Sequence, residues 1–281
     1  MRKGTYMGIT PHDSLHIGSM RTFLYTYSFA RKEGIPVYIR CDDTNPVNRN
    51  HTNINVLLSE LQEFGVLFNY DELHYWNSSI IYQSQNTDIY HKYLLTLINL
   101  ELTSEKQGLI SLDISKVLRV IGDAYMHMDD LIKKTTHFNL SKSGYEYIPL
   151  FSVSENRFLF HIPCVIDEYL MGISVSIRGE DKISLVPIHD LLRRLLSLSP
   201  VRYLHLPILL DKITNKRLRG KEYSIGNFLK IYDKNVLLDY ILKSGYRDTG
   251  SKFYSINEFI DNFDYRLIKK SSNYFDSNNI K

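Results

Sequence analysis

Residues 5–45, TYMGITPHDSLHIGSMRTFLYTYSFARKEGIPVYIRCDDTN, constrain the fold more than any other stretch of the chain. Thr5 to Thr10 reads as a short buried strand, Pro11 to Ser14 as a turn, and Leu15-His16-Ile17-Gly18-Ser19 as the start of a helix. Met20, Phe23, Leu24 and Tyr27 follow at the three-and-four spacing of one apolar helical face, and Gly34 stands where a helix stops. Pro36 to Cys41 is a second strand. Strand, helix and strand in this order make a βαβ unit, which requires parallel pairing and a ligand crevice at the strand ends. A helix N-terminus offers unpaired N–H groups and positive dipole to an anion, and a glycine there lets a phosphorylated ligand reach the backbone. His16 adds an imidazole at the same spot, although a histidine near a helix start serves equally as a cap or a packing residue.

At 281 residues the chain has room for two or three small units sharing one large core. Its 43% hydrophobic and 23% charged content are ordinary for a globular protein. A formal net charge of +3 permits a local nucleic-acid patch without arguing for one. Cys41 and Cys164 lie far apart inside apolar runs, so buried free thiols are expected. That usage fits a reducing compartment and disfavours a zinc site built on cysteines, and no metal ligand set is expected. Met1-Arg2-Lys3-Gly4 lacks the apolar core of a signal peptide, and no run of about 18 apolar residues follows, so a cytoplasmic location is expected.

Further along, 55–65 reads as a helix with Val56, Leu57, Leu61 and Phe64 on one face, and 81–100 as a longer helical stretch. Asp129-Asp130 followed by Lys133-Lys134 reads as a solvated charged face. Residues 157–177 read as a buried strand, a tight acidic turn and a second apolar strand from Gly172. A helix over 187–198 and a strand over 204–210 complete a sheet, and 224–281 reads as mostly helical.

Three motifs in order carry a resemblance to a known family. Leu15-His16-Ile17-Gly18, Arg21-Thr22 and Arg40-Cys41-Asp42-Asp43-Thr44 resemble the LHIGG, RT and RIEDTD series of the glutamyl branch of class I aminoacyl-tRNA synthetases, with His16 and Gly18 matching the HIGH motif that holds ATP. Residues 157–173 are similar to that family's PTYHLANVVDDHLMGI, and 177–181 to its IRGED. Tyr75-Trp76-Asn77-Ser78-Ser79 resembles the Tyr-x-x-Ser stretch before its acceptor-end insertion. The resemblance implies an α/β fold with a Rossmann-like parallel sheet over 1–81 and 159–223, an inserted acceptor-binding-like subdomain over 82–158, and a helical stem-contact-like region over 224–281. The chain stops where the full-length family begins its anticodon-binding domain. This implies a short form, similar in length to the glutamyl-queuosine tRNA synthetases.

The function implied is a ligase that adenylates an amino acid with ATP and Mg²⁺ and transfers it to the acceptor end of a tRNA, with no membrane or DNA partner. Matched residue by residue, ATP binding falls to Thr10, His16, Gly18, Ser19, Asp181, Leu209, Leu210 and Lys221. Amino-acid binding falls to Tyr6, Thr10, Asp42, Phe160, Cys164 and Arg178, and catalysis to His16, Lys216 and Lys221. Asp42 matches the acid that pairs with the substrate's α-amino group, its bland alternative being a surface carboxylate at a strand end. Arg178 matches the family arginine of the amino-acid pocket, where a buried carboxylate favours a forked guanidinium over a lysine.

Two departures from the family pattern matter. Tyr6 stands where the family has an arginine for the substrate's side-chain carboxylate, Phe160 replaces a tyrosine and Cys164 an asparagine. A site without that guanidinium and phenol is poorly built for glutamate, so a different, less polar amino acid is expected. In Asn215-Lys216-Arg217-Leu218-Arg219-Gly220-Lys221, aligned with KKLSKR, Gly220 takes the place of the lysine that stabilises the α-phosphate. Losing one such contact costs roughly 3–4 kcal/mol, and Lys221 is the nearest substitute. Two other readings stay open: an adenylating enzyme that serves a small molecule or carrier protein, and a non-catalytic paralogue that binds ATP or tRNA.

Overall fold

The βαβ unit forms as its apolar spacing requires. In the computed structural model, which describes residues 3–11, 14–49, 52–67, 80–122, 125–134, 136–218 and 220–280, β1 (Thr5–Ile9) leads to α1 (Ile17–Glu33) and β2 (Val37–Cys41). Met20, Phe23, Leu24 and Tyr27 are all buried, together with Thr26 and Ser28, whose hydroxyls bond back to carbonyls one turn earlier in the helix. His16 caps α1, its side chain accepting from the Ser19 N–H, and Gly34 ends it in the left-handed conformation at φ 63°. β1 and β2 run parallel, Thr5 opposite Val37 through Ile9 opposite Cys41.

After α2 (Thr52–Glu63), β3 (Ile80–Tyr82) pairs parallel with β2, placing Ile80 opposite Ile39. α3 (Thr87–Asn99) opens an inserted segment of β4 (Thr103–Lys106), β5 (Leu109–Asp113), α4 (Ile114–Ile121), β6 (Tyr125–Met128), β7 (Thr136–Asn139), β8 (Tyr147–Ser152) and β9 (Arg157–Phe158). Four of these strands form an antiparallel sheet in the order β4-β5-β8-β9, and β6 pairs antiparallel with β7. The chain returns through α5 (His161–Leu170), β10 (Val175–Gly179), α6 (Val186–Leu195) and β11 (Arg202–Leu206). β10 and β11 are parallel, and a parallel bridge from Gly4 to Ile173, with Ser174 N–H donating to Gly4 O at 2.9 Å, sets β10 beside β1. The strands therefore follow the order β3-β2-β1-β10-β11. The switch point of such a sheet, where its crevice opens, falls between β1 and β10.

β12 (Leu209–Asp211), α7 (Ile225–Phe228), α8 (Lys234–Lys243), α9 (Ile256–Asn262) and β13 (Asn273–Phe275) complete the chain. Leu237, Leu238, Ile241, Leu242 and Phe259 share one buried cluster with the α1 face, each apolar side chain contributing about 1.5–3 kcal/mol on burial. A second cluster joins α3, the antiparallel sheet, α5 and α6. No helix among the described residues is long and apolar enough to cross a membrane.

Several local expectations are corrected. Residues 161–170 form a helix rather than a strand and acidic turn. Ile162 to Glu168 are all buried, so no polar face marks the period, and Pro163 is tolerated because it falls in the first turn, before intrahelical N–H bonds are needed. Gly172, at φ 66°, follows the end of that helix. Ile80 to Tyr82 are strand, so the third helix starts only at Thr87. Val56 is exposed, and Ile54 takes its place on the buried face with Leu57, Leu61 and Phe64. The strand expected over 204–210 is broken at Pro207, and β12 pairs instead with β13, which adds a strand to the mainly helical C-terminal region. Cys41 and Cys164 are buried free thiols, as expected. Tyr75 to Ser79, Arg219 and the His12-Asp13 part of the first turn lie outside the described residues.

Candidate active site

At the switch point lies a cleft of about 650 Å³. Of the residues matched to ATP binding, Thr10, His16, Gly18, Ser19, Asp181 and Leu209 line it. Of those matched to the amino acid, Tyr6, Thr10, Asp42, Phe160 and Arg178 do so. Cys164 is buried beside it, donated to by Arg40 Nη1 at 3.3 Å, whereas Leu210, Lys216 and Lys221 are not among its lining residues. From the lysine loop, Arg217 and Leu218 line the cleft instead. Lys216 and Lys221 are exposed, and Gly220 sits at φ 98°, a conformation that side chains on an L residue rarely adopt.

The wall formed by α1 is held from two directions. Glu60 on α2 accepts from Leu15 N–H at 2.8 Å and from the Ser14 hydroxyl, which fixes the turn before the helix. Arg21 is buried and donates to the Pro207 and Ser244 carbonyls, tying the helix to the C-terminal segments. A Cβ added at Gly18 would lie 3.2 Å from the His16 ring, so glycine lets the imidazole fold over the helix start.

Beneath the cleft, Tyr6 and Asp42 join a charge network whose other members, Arg40, Glu168 and Arg193 among them, had no role assigned from the sequence. Arg40 donates to Asp42 through Nε at 2.6 Å and Nη2 at 3.1 Å, and its guanidinium lies 4.6 Å from the centre of the Tyr6 ring. Tyr6 donates its hydroxyl to Glu168 at 2.7 Å, Ser176 donates to the same oxygen at 3.2 Å, and Arg193 pairs with the other. Burial pushes the Glu168 carboxyl up, but Arg193, Arg178 and Arg40 outweigh it and hold the group below the usual carboxylate range. Burial raises the Tyr6 phenol, which stays protonated. Arg193 also donates to Tyr203 at 2.7 Å and to Asp190 at 3.1 Å, and burial raises Asp190 to about 6. Asp167, likewise raised to about 6 by burial, accepts from Gln83 and Tyr90. The available signal was charge inside an apolar run, as at Arg40 within VYIRC and Glu168 within the 161–170 helix.

Arg178 is buried, with its Nε donating to His205 Nε2 at 3.3 Å and its Cζ 4.9 Å from the centre of the Tyr203 ring. Its Nη2 has no hydrogen-bond partner. Asp181 stands at the cleft edge with Arg217 at 3.8 Å and Lys182 at 3.7 Å. Cys164, Glu168 and His189 bring possible metal-ligating atoms within 4.8 Å of one another. Both Glu168 oxygens are already bonded and three guanidinium groups surround the cluster, which opposes a bound cation.

The start of α1, the Arg178 guanidinium with its unbonded Nη2 and the switch point of a parallel sheet thus meet at one cleft of an α/β fold. The family described as tRNA synthetases class I (E and Q), catalytic domain, matches over residues 10–103 and 99–281, and the chain belongs to it. Similar proteins include the glutamate–tRNA ligases of Chloroherpeton thalassium, 24% identical over 95% of this chain and 62% of the relative, and of Methylacidiphilum infernorum, 28% identical over 95% and 59%. The chain thus spans about three-fifths of the length of these curated relatives. A solved glutamate–tRNA synthetase from Elizabethkingia anophelis superposes with a TM-score of 0.82 at 17% identity, covering 100% of this chain and 69% of that one. A glutamate–tRNA ligase from Elizabethkingia meningosepticum, solved in complex with its amino acid, gives the same TM-score of 0.82 at 17% identity, covering 100% and 68%.

Proposed function

We propose that this chain activates an amino acid with ATP, forming an aminoacyl-adenylate and pyrophosphate, and passes the aminoacyl group to the acceptor end of a tRNA with release of AMP. The observation that carries the reading is the convergence on one cleft of the α1 N-terminus with His16 and Gly18, the Asp42 carboxylate and the Arg178 guanidinium. The helix start and the His16 imidazole suit a triphosphate, Asp42 an ammonium group, and Arg178 a carboxylate. Arg217 and Lys182 add positive charge on the phosphate side, where Mg²⁺, when bound, would supply further charge neutralisation. Thr10 and Leu209 complete the ATP side.

The amino acid in this reading is not glutamate. Tyr6, in place of an arginine, has its hydroxyl engaged by Glu168, and the Arg40 guanidinium is neutralised by Asp42, so neither is available to a side-chain carboxylate. Phe160 adds an apolar wall. The test is ATP–pyrophosphate exchange with each of the twenty amino acids, with and without total tRNA. Exchange with one amino acid other than glutamate is the expected result, and best activity with glutamate refutes the specificity.

A binding-only role is favoured by one observation. Gly220 replaces the family lysine in a backbone conformation unsuited to a side chain, while Lys216 and Lys221 are not among the residues lining the cleft. Absence of exchange from folded protein under all conditions, with ATP still bound, selects that role.

A further inference from the structure

The pair Asp129-Asp130, read from sequence as a solvated surface, is in part the opposite. The Asp130 side chain is fully buried where the segment between β6 and β7 docks on β11. The docking is made by the backbone, with Leu131 N–H donating to Tyr203 O at 2.8 Å and Tyr203 N–H to Asp129 O at 2.9 Å. One Asp130 oxygen accepts from the backbone N–H groups of Ile132 at 2.9 Å and Lys133 at 2.6 Å. The other accepts from His205 N–H at 3.1 Å and lies 2.6 Å from His205 Nδ1.

That arrangement determines the histidine tautomer. A carboxylate facing backbone donors on both oxygens acts as an acceptor, so the proton between it and the imidazole belongs on Nδ1. The Nε2 lone pair is then bare, and Arg178 Nε donates to it at 3.3 Å. His205 also stacks on Tyr203 at 5.8 Å, and Tyr203 in turn underlies the Arg178 guanidinium. Arg178 is thus gripped at Nε and on one face, while its buried Nη2 has no protein partner.

We propose that Asp130 and His205 are positioning residues for Arg178, holding its guanidinium to receive a carboxylate of the amino-acid substrate. The proposal rests on the reading of Arg178 as part of the amino-acid pocket. It makes that pocket complete only when the inserted segment is seated on β11, since Asp130 reaches His205 from the insertion. A guanidinium without this grip samples other rotamers, and the lost orientation appears in amino-acid binding and not in ATP binding.

The experiment compares His205→Gln, whose side-chain carbonyl can occupy the Nε2 position as an acceptor, with His205→Phe, which has none. In pyrophosphate exchange, His205→Phe is expected to raise the amino-acid KM about tenfold with the ATP KM within about twofold, and His205→Gln to return it to within about threefold of the unaltered protein. Equal amino-acid KM values for the two variants, or an ATP KM that moves in step, overturn the proposal. In parallel, imidazole ¹⁵N shifts of the full chain at pH 7 are expected to show His205 protonated on Nδ1 and bare on Nε2, with the tautomer reversed in Asp130→Asn. The opposite tautomer, or a doubly protonated ring, in the unaltered protein also overturns it. If no amino acid supports exchange, the proposed activity fails, and the imidazole shifts still decide the positioning.

Discussion

Replacing Arg193 with methionine tests whether the floor of the cleft is a coupled charge network or a collection of independent contacts. Glu168 is fully buried, and its Oε2 has Arg193 as its ion-pair partner, while Oε1 keeps the Tyr6 and Ser176 hydroxyls. Arg193→Met leaves a buried carboxylate half-satisfied and takes the 3.1 Å contact from Asp190. Breaking a buried pair from one side costs about 3–5 kcal/mol, and that is the loss expected at pH 7 in urea unfolding followed by far-ultraviolet circular dichroism. The pH dependence carries a second signature. In the unaltered protein Glu168 sits below the usual carboxylate range because the guanidinium groups outweigh burial. Removing Arg193, the largest of the charges that oppose burial, is expected to lift the folded-state value above the unfolded one against the remaining Arg178, Arg40 and the Tyr6 hydrogen bond. The folded variant then binds a proton that the unfolded chain does not, so its deficit shrinks as pH falls from 7 to 5, by up to about 2.7 kcal/mol. Adding Glu168→Gln to Arg193→Met is expected to recover at least half of the loss at pH 7. A deficit below about 1 kcal/mol at pH 7, or one that does not change between pH 7 and 5, refutes the network argument.

Arg217→Ala is expected to raise the ATP KM at least about tenfold in pyrophosphate exchange, the effect of one charge-assisted hydrogen bond, and Lys221→Ala to change it less; the reverse order would make Lys221 the substitute for the missing lysine. Burial lowers His161 to about 4, so below pH 6.5 the unfolded chain takes up a proton that the folded chain refuses, and stability falls until about pH 4. His161→Gln removes that term, and its stability relative to the unaltered protein is expected to improve by about 3 kcal/mol between pH 6.5 and 4, measured by urea titrations at each pH. Asp113 caps α4 by accepting from the Ser115 and Lys116 N–H groups and also holds Ser104, so Asp113→Ala is expected to cost about 1–2 kcal/mol, with a change within 0.5 kcal/mol counting against the cap.

What could be read from the chain alone is what depends on near neighbours. The apolar spacing of Met20, Phe23, Leu24 and Tyr27, the His16 cap and the Gly34 stop are all decided within a few turns of backbone, and the βαβ unit with its crevice follows from them. The order of motifs was legible for the same reason, since each motif is a local pattern. Reading failed where burial erased the period, as in the helix over 161–170, and where a residue's partner lies far along the chain. Tyr6 and Glu168 are 162 positions apart, Asp130 and His205 75, and Arg40 and Cys164 124. A charge in a sequence carries no record of the countercharge that will meet it, so Asp130 looked solvated and Arg40 had no assigned role. Burial on both sides of the sheet makes those pairings obligatory, because an unpaired ion there would be too costly to keep. The sequence thus determined the crevice and the residues at its rim, while the tertiary structure alone decided that the Arg40 and Arg193 guanidinium groups meet carboxylates and that Arg178, at the cleft, keeps its Nη2 without a hydrogen-bond partner.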